Sequence, residues 1–281
     1  MMQAAQRVMG FMRWRLVPVR YAGKLRRTLT GSRTAVPRCA LVERVDEHGY
    51  APGPRIDPPT LEAILARYRP RIERVEPTRT GHPFTNLVTA ADYTTEDPVV
   101  RLAFSNSVLD VAHDYFGGRL TLDSIQVLYS WPTEGLSDSQ MWHKDYGDSR
   151  SFHWIAYLND VSSDLDGPFV FVDRQDTRRI ARSPFIRRID DQRFMKELGD
   201  GQVRRFTGQA GESVYVDPSA CYHYGSRCRQ PRLAIFITFN SDRPFVAATD
   251  LVRQNAQRLL DVGRALRPDL SESYLRTLLA L

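Results

Sequence analysis

Residues 139–161, SQMWHKDYGDSRSFHWIAYLNDV, combine two features. The second half, from Ser151, is a run of aromatic and aliphatic residues with the length and composition of a β-strand. The first half contains His143 and Asp145, two side chains that can bind a metal ion. Because residues i and i+2 of an extended chain point to the same side, the pair can direct an imidazole and a carboxylate at one point. The alternative is a solvated, hydrogen-bonded pair at the surface.

Further short β-like runs follow the same pattern along the chain. They are separated by turn-forming clusters such as SSDLDGP and DPSA. Many short strands without helices between them predict a sandwich or a barrel. The runs are LTLDSIQVLYSW (120–131), PFVFVD (168–173), ESVYVD (212–217) and RLAIFITFN (232–240).

Helical patterns flank these strands, so we expect a mainly β protein of the α+β class. Residues 61–75 have helical periodicity as far as Pro70, and residues 97–117 predict a helix with Asp97 as N-cap and Gly117 at its end. Residues 46–60 are rich in Pro and Gly and predict a linker. A helical insertion is expected near residues 190–200, and a helical tail broken near Pro268. The expected organisation is a basic extension (1–45), a β domain (46–245) and a C-terminal helical tail (246–281).

The positive charge of this protein is concentrated at its N-terminus. The net charge is +6, yet residues 1–42 contain nine Lys and Arg and no acidic residue, so the remainder has 30 basic and 33 acidic residues. The charge of the body therefore does not indicate nucleic-acid binding. The basic segment fits an organelle transit peptide, a membrane-surface helix or an extension lying on its own domain.

The sequence indicates a reducing compartment. No apolar run reaches the roughly 20 residues needed to span a bilayer. The three cysteines, Cys39, Cys221 and Cys228, are odd in number and show no C-x-x-C spacing, which argues against a disulfide framework. We therefore expect a cytoplasmic location. The basic N-terminus leaves organelle targeting or peripheral membrane contact as alternatives.

His223 is the candidate third metal ligand. It follows a strand and a tight turn in GESVYVDPSACYHYGSR. Two histidines and one carboxylate that occupy one side of a metal suit non-haem Fe(II) and leave the opposite side open for chemistry. Zinc binds the same atoms but normally keeps a single open position. The alternative for His223 is an ordinary loop histidine.

Arg232 begins the strand RLAIFITFN, nine residues after His223. Strand alternation places Arg232, Ala234, Phe236 and Thr238 on one face and the aliphatic and aromatic residues on the other. A planar guanidinium clamps a carboxylate through two hydrogen bonds. A metal triad with an inward arginine is what an enzyme needs to hold 2-oxoglutarate. A structural salt bridge is the alternative role for Arg232.

The order of these motifs resembles the phytanoyl-CoA dioxygenase family over roughly residues 95–245. The motifs are W-H-x-D, W-I-A-Y-L-N-D-V, D-G-P-F, G-E-S-V-Y-V-D followed by His, and R-L-A-I-F. The resemblance implies a double-stranded β-helix (jelly-roll, cupin-like) core buttressed by helices. It also implies Fe(II) bound by His143, Asp145 and His223, 2-oxoglutarate held by Arg232, and Trp154 against the cosubstrate. His153, the neighbour of Trp154, is then expected to face the other way.

The same resemblance implies the reaction. Because Asp145 is present where halogenating relatives have a small residue, it implies hydroxylation of a small organic substrate, in which O2 and 2-oxoglutarate yield succinate and CO2. Two alternatives stay open from the residues alone. One is a cupin-like metal-dependent isomerase or hydrolase, and the other is a non-catalytic ligand-binding β-barrel. The sequence predicts no oligomeric state.

The insertion Arg174–Arg205 has ten basic and five acidic residues. If it faces the substrate, an anionic group is expected there, whereas a solvated charged lid is the alternative. For Cys221, two residues before His223, a buried inert thiol is expected rather than a ligand.

Overall fold

The computed structural model describes residues 39–145, 147–180 and 188–281. The expectations for residues 1–38, and for Arg182 and Arg187 of the insertion, fall outside this part of the chain. The described strands are β1 Tyr50–Pro52, β2 Phe84–Asn86, β3 Leu120–Ser130, β4 Ser151–Tyr157, β5 Phe169–Val172, β6 Val203–Phe206, β7 Ser213–Val216, β8 His223–Tyr224 and β9 Arg232–Ser241. The described α-helices are α1 Ala40–His48, α2 Pro58–Ile72, α3 Pro98–Ala103, α4 Val111–Phe116, α5 Arg174–Arg179, α6 Asp191–Leu198, α7 Asp250–Gln254, α8 Ala256–Leu266 and α9 Glu272–Leu278. In the described ranges, no helix has the length and apolarity required to cross a membrane.

The strands form two antiparallel sheets. The larger sheet has six strands in the order β1-β7-β4-β9-β3-β2, and the smaller has three in the order β6-β5-β8. Ile155, Val214 and Val216 of the larger sheet share a buried cluster with Phe169 and Phe171 of the smaller one. The two sheets therefore pack face to face, as the short strands predict.

The outer face of the larger sheet is covered by helices. Along β9, Leu233, Ile235, Ile237 and Phe239 lie in the main core, while Ala234 and Phe236 face the smaller sheet. The predicted alternation of β9 is thus confirmed. Helices from both ends of the described chain contribute to this core, including α1, which spans the expected domain boundary at residue 45, and the tail helices α8 and α9.

Residues 46–60 were expected to be a linker, and the structure corrects this expectation. The segment contains β1, in which Tyr50 pairs with Val216 and Ala51 with Tyr215. The strand ends at Pro52, and at the next residue, Gly53, a Cβ atom would lie 2.2 Å from Ser213 Oγ. The glycine that suggested a flexible linker therefore permits close contact between two strands.

Two of the predicted helices have different ends. Helix α2 runs through Pro70 to Ile72, because a proline near the C-terminus of a helix removes only one hydrogen bond of the last turns. The helix expected over residues 97–117 begins as predicted, with Asp97 accepting hydrogen bonds from Val99 and Val100. It is interrupted where Ser105 adopts an extended conformation and its Oγ donates to the Leu102 carbonyl. The predicted insertion helix (α6) and the break between α8 and α9 around Pro268 are confirmed.

Asp92 holds α2 against the loop that leads to α3. Its buried carboxylate accepts from Arg71 Nη1 and Nη2, both at 2.6 Å, and from Arg67 Nη2 at 2.8 Å. Burial opposes ionisation of Asp92, but Arg71 and Thr89 outweigh it and lower the pKa of the carboxyl well below its ordinary value. The ionised carboxylate therefore stabilises the folded state.

We expect Asp92→Asn to lower the free energy of unfolding by about 3 kcal/mol at pH 7, because it leaves Arg71 without its buried carboxylate partner and Arg67 with Asp97 alone. Since the pKa of Asp92 is lower in the folded state, its contribution is fully present above the ordinary aspartate pKa of about 3.9 and is lost as the pH falls below that value. Urea denaturation at pH 7 and at decreasing pH checks both points. A difference between wild type and variant that grows on acidification would contradict the assignment.

Candidate metal centre

Three side chains converge between the two sheets. His143, Asp145 and His223 each offer one ligand atom, and these atoms lie within 4.8 Å of one another. Asp145 Oδ1 is 3.5 Å from His143 Nε2 and 3.7 Å from His223 Nε2. The structure thus brings together the three residues that the sequence singles out, although 80 positions separate the histidines.

Backbone pairing fixes the two histidines side by side. His143 N donates to His223 O at 2.9 Å, and His223 N donates to His143 O at 2.8 Å. Residues that exchange both hydrogen bonds in an antiparallel pair have their side chains on the same side. Asp145 is held by its own backbone, whose N–H donates to the Pro218 carbonyl at 3.0 Å.

The hydrogen bonds of the imidazoles leave one nitrogen of each ring free to bind a metal. His143 Nδ1 lies 2.8 Å from the Met141 carbonyl, and His223 Nδ1 lies 3.0 Å from the Cys221 carbonyl. A carbonyl only accepts, so both Nδ1 atoms carry the proton and both Nε2 atoms present a lone pair towards Asp145. Carbonyl partners of this kind orient metal-binding histidines in proteins.

The charge state of the three residues also suits a divalent cation. Burial lowers the pKa of His143 to about 3 and lowers that of His223, so both imidazoles are neutral at pH 7. Burial works against ionisation of Asp145, but the surrounding imidazoles, His223 first, lower the pKa of its carboxyl. Two neutral nitrogens and one anionic oxygen are the protonation states that metal binding requires. The donor set therefore fits a divalent metal bound through two histidines and one carboxylate.

His153 is a site residue that the sequence analysis misses. Its Nε2 is 3.6 Å from Asp145 Oδ2, so the prediction that it faces away is wrong. Burial lowers the pKa of His153 to about 4 and keeps the ring neutral. The signal was present in the strand itself, because Phe152, Trp154 and Ala156 form an apolar alternate face that leaves His153 on the other side.

Trp154 lies on the opposite face from the triad. Its side chain is 1 % exposed within the core beneath the helices, and its Nε1 donates to Ser213 Oγ at 3.0 Å. The structure therefore places Trp154 away from the triad, on the side of the sheet that packs against the helices. The physical reason is strand alternation, since Trp154 and His153 cannot both point inwards from a regular β4.

Arg232 is buried, with 1 % of its surface exposed. Its guanidinium donates to the Gly167 carbonyl, to Ser226 Oγ at 2.8 Å and to Ser130 Oγ at 3.5 Å, while its Nε has no hydrogen-bond partner among the described residues. No carboxylate of the described residues lies within ion-pair distance of Arg232, and the rest of the chain contains no Asp or Glu. A structural salt bridge, the alternative role of Arg232, therefore finds no acidic partner among the described residues.

A hydrogen bond connects Arg232 to the segment that carries His223, a member of the triad. Ser226, which accepts from the guanidinium, lies three residues after His223 along the same segment. Three residues of chain span at most about 11 Å, so the Cα atom of Ser226 lies within about 11 Å of that of His223. A buried cation without a counter-ion is costly unless an anion binds beside it.

Asp123 is a second residue that the sequence does not single out. It lies at an irregularity of β3, between Leu122 and Ser124, where the register with β9 shifts. Asn240 Nδ2 donates to its carboxylate at 3.1 Å. Burial, followed by the nearby charge of Asp145, raises the pKa of Asp123 to about 6. The bulge thus turns a carboxyl group towards the triad.

The remaining predictions have mixed outcomes. Cys221 is buried with a raised pKa, so it is an inert thiol, and its backbone carbonyl rather than its sulfur serves the site. In the described part of the insertion, Arg174 pairs with the buried Asp217 at 2.9 Å and Arg193 with Glu197 at 2.9 Å.

A cavity of about 500 Å³ opens elsewhere, between β1 and β6, and no triad residue lines it.

The contact between His153 and Asp145 leads to a prediction. Because His153 contacts Oδ2 of Asp145, the other carboxylate oxygen, Oδ1, is the one that would bind the metal. We expect His153→Phe to weaken Fe(II) or Mn(II) binding about 10- to 100-fold, the usual cost of losing a partner of a metal ligand. Calorimetric titration with Mn(II) measures this, and His153→Gln, which keeps a donor, should recover part of the affinity. Wild-type affinity in His153→Phe would show that the contact is incidental.

Comparison with known proteins supports the fold assignment. No profile of a known protein family matches this chain, and no curated protein matches it in sequence. Among solved structures, it is similar to the epimerase SnoN, in a complex with Fe3+, alpha ketoglutarate and nogalamycin RO, with a TM-score of 0.54 and 18% identity over 72% of this chain and 82% of that one. It is similar to EctD from S. alaskensis with a TM-score of 0.57 and 15% identity over 75% and 81% of the two chains.

A third similar structure is AviO1 from Streptomyces viridochromogenes Tue57. Its TM-score is 0.51, with 16% identity over 76% of this chain and 99% of that one. These likenesses establish a shared fold. Together with the two packed antiparallel sheets, they confirm the predicted jelly-roll core with buttressing helices.

Proposed function

We propose that this protein is an Fe(II)- and 2-oxoglutarate-dependent oxygenase that hydroxylates a small organic molecule. The observation that carries the proposal is the presence of two features on neighbouring parts of the chain. One is the triad of His143, Asp145 and His223, and the other is the buried Arg232, which has no carboxylate partner among the residues that the structure describes. A metal site alone fits several enzyme classes, but a buried cation beside it calls for a ligand with an anionic end.

Each part of the site has a distinct task in this proposal. His143, Asp145 and His223 bind the metal from one side, so that cosubstrate and substrate can approach from the other. Arg232 binds the distal carboxylate of 2-oxoglutarate, and Ser226 and Ser130 orient the guanidinium. The metal, when bound, supplies O2 activation coupled to conversion of 2-oxoglutarate into succinate and CO2.

The residues around the triad limit side reactions. Both ligand histidines are buried, and the phenyl ring of Phe169 lies 5.2 Å from the His223 ring between their centroids. Such apolar walls exclude water from the metal and strengthen the electrostatic interactions inside the site. The carboxylate of Asp145 supports hydroxylation over halogenation, because it fills the position that a halide would need.

The phytanoyl-CoA dioxygenase family is the proposed affiliation, on the motifs at His143–Asp145, His223 and Arg232. The similar structure of SnoN supports the cofactor assignment, because it contains Fe3+ and alpha ketoglutarate. SnoN is an epimerase, so this fold also hosts reactions other than hydroxylation. We propose a small-molecule substrate and no nucleic-acid partner.

The test is an anaerobic titration of the purified protein with Fe(II) and 2-oxoglutarate. We expect a weak visible charge-transfer band when both bind, and succinate formation on admission of air. A cupin-like isomerase or hydrolase would bind metal but form no succinate. A non-catalytic barrel would bind no iron. Either result would overturn the proposal.

A further inference from the structure

Asp217 begins the turn that follows β7, residues 217–221. Its side chain is buried, with 1 % of its surface exposed. Its Oδ1 accepts hydrogen bonds from the backbone N–H of Ser219 at 3.0 Å and from Ser219 Oγ at 2.6 Å. Its carbonyl accepts from the N–H groups of Ala220 and Cys221, at 3.1 Å and 3.2 Å. An aspartate that bonds in this way to the residues just after it fixes the conformation of the turn.

The same turn supports two of the three proposed metal ligands. The Pro218 carbonyl accepts from the backbone N–H of Asp145 at 3.0 Å. The Cys221 carbonyl lies 3.0 Å from His223 Nδ1, so it keeps the proton on that nitrogen and leaves Nε2 for the metal. The ring of His143 is oriented by a carbonyl outside the turn. The positions of one carboxylate and one imidazole of the triad thus depend on this turn.

The second carboxylate oxygen of Asp217 connects the turn to two helices. Oδ2 accepts from Tyr115 Oη of α4 at 2.6 Å and from Arg174 Nη2 of α5 at 2.9 Å. The backbone N–H of Asp217 also donates to the Gly49 carbonyl at 2.8 Å. Breaking a buried ion pair such as the one between Asp217 and Arg174 costs several kcal/mol, so the turn cannot move easily.

We propose that Asp217 is a positioning residue of the metal site, because it fixes the turn whose carbonyls hold Asp145 and set the tautomer of His223. This inference rests on the proposed function and adds a residue that does not touch the metal. Without the Asp217 carboxylate, both donors of Ser219 lose their acceptor and the turn is released from α4 and α5. The two ligands then lose the partners that orient them, which weakens metal binding.

The first experiment uses the full chain without metal, labelled with ¹⁵N at histidine. The NMR shifts of the ring nitrogens distinguish the two neutral tautomers of each histidine. In wild type we expect His143 and His223 to be protonated at Nδ1. In Asp217→Ala, His223 should exchange between both tautomers, whereas His143 should keep a single one because its carbonyl partner lies outside the turn.

The second experiment is a titration with Mn(II), followed by the EPR signal of the free ion. Asp217→Ala should bind Mn(II) about 10- to 100-fold more weakly than wild type, the usual effect of losing a partner of a metal ligand. Asp92→Asn is the matched control, because Asp92 is also a buried aspartate with arginine partners but contacts α2 instead of the turn. It should lower stability and leave the Mn(II) affinity of the folded protein unchanged.

A second variant covers the case in which Asp217→Ala does not fold. Asp217→Ala combined with Arg174→Met removes both charges of the pair, so that neither is left buried alone, and the same results are expected of it. A single Nδ1–H tautomer of His223 in the folded variant, wild-type Mn(II) affinity, or an equal loss of affinity in Asp92→Asn would each overturn the inference. If wild type binds no Mn(II), the proposed function fails, while the tautomer of His223 still decides the role of Asp217.

Discussion

His223→Ala is expected to abolish Fe(II) binding and with it the formation of succinate from 2-oxoglutarate. The substitution removes one of three ligand atoms, whose loss should exceed the roughly 10- to 100-fold cost of losing an outer partner. Among the described residues, the group that could hold a metal contains only His143 and Asp145 besides His223. Metal analysis after anaerobic loading and the visible charge-transfer band measure the effect.

The control for this variant is His82→Ala, because His82 is an exposed histidine in the loop before β2. It should retain full metal binding. Thermal unfolding without metal establishes that His223→Ala is folded. If the folded variant binds Fe(II) within tenfold of wild type, His223 is not a ligand and the site assignment is wrong.

Arg232→Met is expected to weaken 2-oxoglutarate binding while leaving metal binding in the absence of cosubstrate unchanged. Removing one partner of a buried charge pair costs about 2–5 kcal/mol, which corresponds to an affinity loss of about 30- to 5,000-fold. Titration of the Mn(II)-loaded protein with 2-oxoglutarate measures it. Normal cosubstrate affinity in the variant would exclude Arg232 as the clamp.

The stability of the ligand-free protein distinguishes two roles of Arg232, binding of the cosubstrate and stabilisation of the fold. Because removing a buried cation that has no carboxylate partner among the described residues offsets the loss of its hydrogen bonds, Arg232→Met should change the free energy of unfolding by no more than about 1 kcal/mol. Arg174→Met is the matched comparison, since Arg174 pairs with the buried Asp217 at 2.9 Å. Its loss should cost about 3–5 kcal/mol. Equal losses in both variants would identify Arg232 as a structural cation.

Much of the fold follows from local patterns. The alternation in RLAIFITFN predicts which residues of β9 face the helices, and the structure confirms it. Capping at Asp97 and the break near Pro268 are equally local, because they depend on backbone hydrogen bonds within a few residues. The linker prediction for the Pro- and Gly-rich residues 46–60 was wrong. Gly53 is needed because Ser213, which is distant in the sequence, lies too close for a side chain at this position.

The candidate site likewise has features that the sequence predicts and features that only the structure shows. The sequence by itself singled out His143, Asp145, His223 and Arg232, because their residue types and order carry a chemical meaning that needs no coordinates. Only the tertiary structure decided that His153 rather than Trp154 faces the triad, and that no carboxylate of the described residues pairs with Arg232. The physical reason is that the period of a strand determines which residues share a face. Which face meets the helices and which meets the metal depends on partners distant in the chain.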